Sequence, residues 1–261
     1  MRFQQSLFAA LASAVVTLAV LAPAVAADRT TLVVLVPSNV KAAFSEIIAT
    51  YQKAHPDVTI QPTFVGSATI VREVESDAVV DVIVLSDLTV TPDILHFIDH
   101  PAPLYDTHSV IALSRVAQAS AHAVKIASPQ DLAKPGVRFG MGTPGSGLAI
   151  WQNQNIDMLD KVYGAGFAAK VRANVQVTRT DSSHVSAALD EGLVDAALLF
   201  TSDIDAKMTK IDLPPAQQVT VTFVIAPVKA SQHAAQARDF IAFLGSTESK
   251  AIYRVHGLVA R

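Results

Sequence analysis

Residues 31–70 have the sequence TLVVLVPSNVKAAFSEIIATYQKAHPDVTIQPTFVGSATI, in which two β-branched runs each lead into a helical pattern. The runs at 31–36 and 58–64 have the length and composition of strands. Between them, apolar residues recur at helical spacing from 40 to 53, and His55-Pro56-Asp57 ends that helix. This repetition of strand and helix predicts a mainly parallel sheet covered by helices.

The same alternation fills the rest of the chain in two series. The first series closes with a strand-like run at 80–85. The second contains strand-like runs and helical patterns at 137–141, 148–162, 175–178, 185–189 and 196–200. Strand-like runs at 108–114 and 219–226 lie between and after the two series, and we interpret them as the crossing strands of a hinge. Helical stretches at 234–244 and 248–255 end the chain and are expected to pack on the first lobe.

The predicted fold class is therefore α/β, with two βα lobes joined by a two-strand hinge. We expect the first lobe to comprise residues 27–109 and 223–261, and the second lobe to comprise residues 110–222. The chain without its first 26 residues is long enough for two modest domains, each with its own core.

The N-terminus has the pattern of a secretory signal peptide. Arg2 precedes an apolar run at 7–21, and Ala24-Val25-Ala26 supplies small residues at the spacing that signal peptidase requires. Cleavage after Ala26, which removes residues 1–26, fits this pattern better than a membrane anchor does, because Pro23 and small residues end the apolar run. The sequence contains no cysteine, so neither a lipid-linked N-terminal cysteine nor a disulfide is expected. We therefore expect a free periplasmic protein.

The charge pattern excludes several classes of partner. The chain has 20 Lys and Arg residues and 23 Asp and Glu residues, which gives a formal net charge of −3. No basic stripe and no heptad pattern is present, so neither nucleic acid nor a coiled-coil partner is indicated. We expect a monomer with no cofactor and no bound metal ion.

Four strand-to-helix junctions carry small hydroxyl or glycine residues, at 37–39, 66–69, 143–147 and 181–183. Helix N-termini expose unpaired backbone N–H groups and a partial positive charge, so such junctions bind anions without Lys or Arg. At any single junction, helix capping is the simpler interpretation. Four junctions, two on each lobe and all at the carboxyl ends of predicted strands, indicate a shared anion-binding cleft.

Several short segments, in this order and spacing, resemble the periplasmic molybdate-binding proteins of ABC importers. They are VPSNV at 36–40, FVGSATI at 64–70 with Arg72 and Glu75, VIVLSD at 82–87, GTP at 142–144, GLVDA at 192–196 with Ser202-Asp203, and the stretch at 240–257. The resemblance covers nearly all of the chain after residue 26, and it implies the type II periplasmic binding protein fold.

The resemblance also implies a set of ligand-binding residues. In that family, two serines of the first lobe, backbone amides and a tyrosine hydroxyl hold the oxyanion. The matching serines are Ser38 and Ser67, and the matching amides lie near Gly147, Leu148, Ser182 and Ser183. Phe200 stands at the tyrosine position and removes one hydroxyl donor, for which Thr201 or Ser182 is the possible replacement. Thr143 stands where the family has an aspartate.

The function expected from the resemblance is delivery of a tetrahedral oxyanion, molybdate or tungstate first, to the membrane permease of an ABC importer. A cleft that offers mainly donors favours a fully ionised oxyanion, because a protonated phosphate also needs an acceptor for its hydrogen. Sulfate, an organic acid and a metal complex are alternative ligands, because proteins of one fold bind many different ligands. An exported hydrolase is the alternative from a different class.

Four other patterns have a weaker functional interpretation. The glycines of GMGTPG at 140–145 match a dinucleotide fingerprint, but Pro144 interrupts it and no acidic residue is placed for a ribose. The histidines of HFIDH at 96–100 have a metal-site spacing on a helix, although Pro101 follows at once. Asp181, Ser183 and His184 suggest a catalytic triad, but neighbours in sequence rarely face each other. Trp151, the only tryptophan, is expected to pack in a helix rather than to line the cleft.

Overall fold

The computed structural model describes residues 29–86, 92–121 and 123–261. The predicted signal peptide lies outside these residues. The strands are β1 Thr30–Pro37, β2 Val58–Val65, β3 Val82–Ser86, β4 Ala102–Ser114, β5 Phe139–Gly142, β6 Val175–Arg179, β7 Ala196–Phe200, β8 Met208–Asp212, β9 Thr220–Pro227 and β10 Val259–Ala260. The helices are α1 Lys41–Ala54, α2 Ser67–Glu75, α3 Arg115–Ala119, α4 Gly147–Tyr163, α5 Phe167–Ala173, α6 Ser182–Asp190, α7 Ala234–Leu244 and α8 Thr247–Val255.

The strands form two sheets that share β4. The first sheet has the order β2-β1-β3-β9-β4-β10, with β1 parallel to β2 and β3. The second has the order β8-β4-β7-β5-β6, with β5 parallel to β6 and β7. The N-terminal part of β4 pairs with β9 and its C-terminal part pairs with β7 and β8. This arrangement confirms the predicted α/β class with two lobes.

The connection between the lobes differs in one respect from the sequence-based interpretation. The predicted crossing strand 108–114 is the C-terminal half of β4, which does pass from one sheet to the other. The run 219–226 corresponds to β9, but β9 pairs with β3 and with Ala102–His108 of β4, so it lies in the first sheet. The chain crosses just before β9, where Ser109 of β4 accepts a hydrogen bond from Val219 N at 2.8 Å and donates its own N–H to Val219 O at 2.9 Å. The exact boundaries of the second lobe, predicted at residues 110 and 222, remain a prediction.

Helices pack on both faces of the first sheet. Phe44, Ile47 and Tyr51 of α1 are buried with residues of α7 and α8, and the Phe44 ring contacts Tyr105 and Tyr253. The opposite face is covered by α2. The second sheet is covered by α4 and α5 on one face and by α6 on the other. None of the helices in the described ranges has the length and apolar character needed to span a bilayer.

A buried carboxylate, that of Asp81, forms hydrogen bonds with neighbouring segments just before the start of β3. Asp81 is 1% exposed and accepts hydrogen bonds from Val33 N at 2.8 Å, Ser231 Oγ at 2.6 Å and His233 Nδ1 at 3.2 Å. We expect Asp81→Ala to lower the free energy of unfolding by about 2–4 kcal/mol, because it leaves a buried N–H without an acceptor. Urea denaturation measures this change. The exposed Asp239→Ala in α7 is the matched control, and a loss no larger than the control's would contradict the expectation.

Candidate functional site

A cleft of about 490 Å³ lies between the two sheets. Its walls come from the carboxyl ends of β1, β2, β3, β5 and β6, and from the helix starts that follow them. Residues from β7 and β9 form the rest of the wall. Ligands of open α/β sheets bind at these strand ends, so the position is that of a binding site.

Helix N-termini from both lobes point into the cleft. Ser38 begins a short 3-10 helix before α1, and Ser67 begins α2. On the opposite wall, Gly147 begins α4 and Ser182 begins α6. The first backbone N–H groups of an α-helix have no acceptor within the helix, and the helix dipole adds partial positive charge there. The wall is therefore suited to an anion.

The structure brings the seven predicted site residues together. Six of them line the cleft: Ser38, Ser67, Gly147, Leu148, Ser182 and Phe200. The seventh, Ser183, lies next to it, with its Oγ 3.2 Å from Ser38 Oγ. Ser67 Oγ lies 3.0 Å from Ser86 Oγ, at the end of β3. Their roles in binding stay a prediction.

The start of α4 is built by a tight turn. The sequence Thr143-Pro144-Gly145-Ser146 forms a turn in which Ser146 N donates to Thr143 O at 2.9 Å, with Gly145 at a φ of +84°. Proline followed by a left-handed glycine is the composition of such a turn. Ser146 Oγ then accepts from Ala149 N at 3.2 Å and caps the helix. Of the glycines of GMGTPG, Gly145 forms this turn, whereas Gly140 and Gly142 belong to β5.

Thr201 does not replace the tyrosine hydroxyl that the molybdate-binding family has at the position of Phe200. Phe200 lines the cleft, but Thr201 Oγ1 donates to Gly257 O at 2.7 Å and lies 3.0 Å from Thr107 Oγ1, away from the cleft wall. Of the two hydroxyls considered, Ser182 is the one that lines the cleft.

Asp181 is a cleft residue to which the sequence interpretation gave no ligand role. It caps α6 through a hydrogen bond from His184 N at 3.1 Å. The same oxygen, Oδ1, accepts from Ser183 Oγ at 2.7 Å and from His184 Nδ1 at 2.8 Å. Burial raises the pKa of Asp181, but the hydrogen bonds from Ser183 and His184 outweigh it, so the pKa lies below the usual value. The side chain is therefore an anionic acceptor at neutral pH.

This network is not a catalytic triad. In a triad the histidine lies between the nucleophile and the carboxylate. Here Ser183 and His184 both bond to the same oxygen of Asp181, so the carboxylate, and not the imidazole, lies between the other two groups. The arrangement orients the first turn of α6.

Arg72 and the aromatic residues Trp151 and Phe223 are cleft residues to which the sequence interpretation gave no ligand role. Arg72 lies on α2, lines the cleft, and donates from Nη2 to Thr69 Oγ1 at 2.9 Å. Trp151, which was expected to pack in its helix, also lines the cleft, together with Phe200 and Phe223. Arg72 could have been predicted as a cleft residue, because it lies about one and a half turns after the start of α2, close to a predicted anion-binding junction. The position of Trp151 in the cleft could not be predicted from the sequence, because apolar residues recur at the same helical spacing whether they face the core or a cleft.

The histidine pair at 96 and 100 does not form a metal site. His96 ends a 3-10 helix, Pro92–His96, and His100 lies in a bend with a φ of +39°. The two imidazoles are thus not one α-helical turn apart. Over residues 29–86, 92–121 and 123–261, no cluster of three or more His, Cys, Asp or Glu side chains could hold a metal ion.

Asp203 lies behind the cleft wall. It is buried, and its Oδ2 accepts from Phe200 N at 2.9 Å. Burial raises the pKa of Asp203 to about 6, and the nearby charge of Asp181 adds to this, while the Phe200 N–H and the Ser182 hydroxyl oppose it. The carboxyl group therefore titrates close to neutral pH.

We expect Asp203 to make the folded protein less stable as the pH rises from 4 to 6. The pKa of this carboxyl is higher in the folded than in the unfolded chain, so the folded state binds the proton more tightly. Ionisation thus costs the folded state, on the order of 2–3 kcal/mol above pH 6. Melting temperatures of the wild type and Asp203→Asn between pH 4 and 8 measure this difference. Parallel curves for the two proteins would contradict the assignment.

The two lobes touch each other at one end of the cleft. Ser38 contacts Ser183, and Asn39 Nδ2 donates to Ser202 Oγ at 3.2 Å. These contacts join the start of α1 to the second lobe. The cleft volume is therefore that of lobes already in contact.

The family model described as bacterial extracellular solute-binding protein matches residues 32–259. The chain belongs to this family. A family of solute-binding proteins accounts for the two lobes and for the cleft between them. The family is one of solute-binding proteins, not one of enzymes.

Three proteins similar to this solute-binding protein share between 15% and 22% sequence identity with it. The molybdate-binding protein ModA of Mycobacterium tuberculosis is 22% identical over 227 residues, which cover 85% of this chain and 81% of the relative. The periplasmic molybdate-binding protein of Azotobacter vinelandii superposes with a TM-score of 0.71 at 15% identity, covering 87% of this chain and 98% of that one. Peb3 of Campylobacter jejuni superposes with a TM-score of 0.68 at 22% identity, covering 88% and 100%. A second PEB3 structure contains L-phospholactate. At these identities the superpositions establish the fold.

Proposed function

We propose that this protein is exported to the periplasm, binds a small anion through an oxyanion group in the cleft, and delivers it to the membrane permease of an ABC importer. Molybdate and tungstate are the first ligands to test, because the sequence relatives are named molybdate-binding proteins. We also propose that it acts as a monomer.

The observation that supports this proposal is the convergence of helix N-termini from both lobes on one cleft. Ser67 and the start of α2 come from the first lobe, and the starts of α4 and α6 come from the second. An anion bound between them accepts hydrogen bonds from both lobes at once. Binding of this kind favours the closed arrangement of the lobes, which is the form that a permease can distinguish.

A thermal-shift and calorimetric screen of the purified protein tests the proposal. The anions are molybdate, tungstate, sulfate and phosphate, followed by phosphate esters and small carboxylates. At a ligand concentration one hundred times the Kd, binding stabilises the folded state by about 2.7 kcal/mol, which raises the melting temperature by roughly 5–10 °C. Sodium chloride at matched ionic strength controls for screening. If no anion of either set raises the melting temperature above the chloride control, the proposed function is wrong.

A further inference from the structure

We propose that the ligand is an organic anion that carries its own hydroxyl or ammonium group, and that the helix N-termini hold only its anionic head group. This inference rests on the proposed function and narrows its ligand class. Three features of the cleft lead to it: an acceptor on the second lobe, the size of the cleft, and an apolar wall.

The acceptor is the carboxylate of Asp181. Oδ1 is occupied by Ser183 and His184, whereas the bond to Oδ2 within the described chain is a long one, 3.3 Å from Thr180 Oγ1. The Asp181 side chain is 22% exposed and lines the cleft. An ideal Cβ on Gly66 would lie 3.9 Å from the Asp181 Cβ, so Asp181 lies beside the residue that precedes α2. A ligand bound at the start of α2 is therefore close to the Asp181 carboxylate.

A fully ionised oxyanion does not match this arrangement. Molybdate and sulfate accept hydrogen bonds but have none to donate, so they and Asp181 would repel each other, and Oδ2 would gain no donor beyond the long bond from Thr180. A hydroxyl or ammonium group on the ligand would donate to Oδ2 and remove this cost. The side chain of Asp181 thus adds an acceptor to a cleft that was expected to offer mainly donors.

The size of the cleft favours an organic molecule. About 490 Å³ is within the range of roughly 300–1,000 Å³ that holds small organic ligands, and a tetrahedral oxyanion has five heavy atoms. The lobes are in contact at Ser38 and Ser183, at one end of this space.

The cleft also has a polar end and an apolar wall. Arg72 and the start of α2 supply positive charge on the first lobe. Phe200 and Phe223 are buried behind the cleft wall, whereas Trp151 is half-buried and presents aromatic surface to the cleft. An organic body packed on Trp151 would remove that surface from water. The anionic head group of such a ligand matches the start of α2, its hydroxyl or ammonium donor matches Asp181, and its apolar body matches the aromatic surface of Trp151.

Calorimetry with matched ligand pairs tests the inference on the unmodified protein. Glycerol 3-phosphate and propyl phosphate share the phosphate head group and the three-carbon chain, but only the first has hydroxyl donors. Glycerate and propionate form the corresponding carboxylate pair. We expect the hydroxyl-bearing member of at least one pair to bind about tenfold or more tightly than its partner and more tightly than molybdate or sulfate.

Asp181→Asn separates the role of the carboxylate charge from the helix cap, because asparagine keeps an acceptor for the His184 N–H. We expect this variant to bind sulfate and molybdate several times more tightly than the wild type, and to discriminate less within the pairs. Asp157→Asn, at an exposed site on α4, is the matched control and should change neither quantity.

The outcomes distinguish this inference from the proposed function. Tight binding of molybdate or sulfate, with equal or weaker binding of both hydroxyl-bearing ligands, overturns the inference and leaves the proposed function intact. Equal affinities within both pairs also overturn it. Failure of every anion to bind contradicts the proposed function itself. A hydroxyl preference that Asp181→Asn reduces and Asp157→Asn does not supports the inference.

Discussion

Gly142→Ala is expected to abolish anion binding and to lower the free energy of unfolding by about 2–4 kcal/mol. Gly142 ends β5, directly before the turn into α4. An ideal Cβ there would lie 2.5 Å from Ala149 N, 3.0 Å from Ala149 Cα and 2.8 Å from Ser146 Oγ. Two of these atoms are backbone atoms that cannot rotate away. The first turn of α4 would have to move, together with the N–H groups that face the cleft.

Urea denaturation and anion titration of Gly142→Ala measure the two effects. Gly147→Ala is the control for stability, because an added Cβ at Gly147 meets no atom within 4 Å. If Gly142→Ala were as stable as Gly147→Ala and bound anions normally, the close approach of β5 to α4 would not be needed for the site.

Ser38→Ala combined with Ser67→Ala is expected to weaken anion binding by about a hundredfold or more while leaving the fold intact. A hydrogen bond to a charged partner contributes about 1.5–3 kcal/mol, so each hydroxyl is worth about tenfold to a hundredfold in affinity. Both residues line the cleft, and their hydroxyls lie 3.2 Å from Ser183 Oγ and 3.0 Å from Ser86 Oγ, respectively.

Calorimetric titration of the single and double variants, with circular dichroism to check the fold, measures this loss. Ser76→Ala, at an exposed site after α2, is the matched control, because its Oγ donates only to Glu73 O among the described residues. Unchanged affinity in both single variants would refute the serine-based site.

Much of the fold was predictable because it depends on local burial patterns. The pattern from 40 to 53 became α1, Lys41–Ala54, since its apolar stripe lies against the first sheet. The run 219–226 shows the limit of such patterns. Alternating burial identifies a strand, but it does not identify the neighbouring strands, and β9 joined the first sheet instead of crossing between the lobes.

The parts of the candidate site that could be predicted are those in which a serine lies at the start of a helix. Ser67 and Ser182 were recognised because they begin helices after strands. Asp181 caps such a helix start, but the role proposed for its carboxylate depends on its position beside Gly66, a residue more than one hundred positions earlier. His96 was misleading for the opposite reason, because its spacing to His100 implied an α-helix where the chain forms a 3-10 helix and a bend.

A crystal structure of the protein with the tightest-binding anion from the screen tests the central claim most directly. We expect the anionic group between the lobes, about 2.6–3.2 Å from the hydroxyls of Ser38 and Ser67 and from backbone N–H groups at the starts of α4 and α6. An anion bound elsewhere, with none of these groups within hydrogen-bond distance, would contradict the claim.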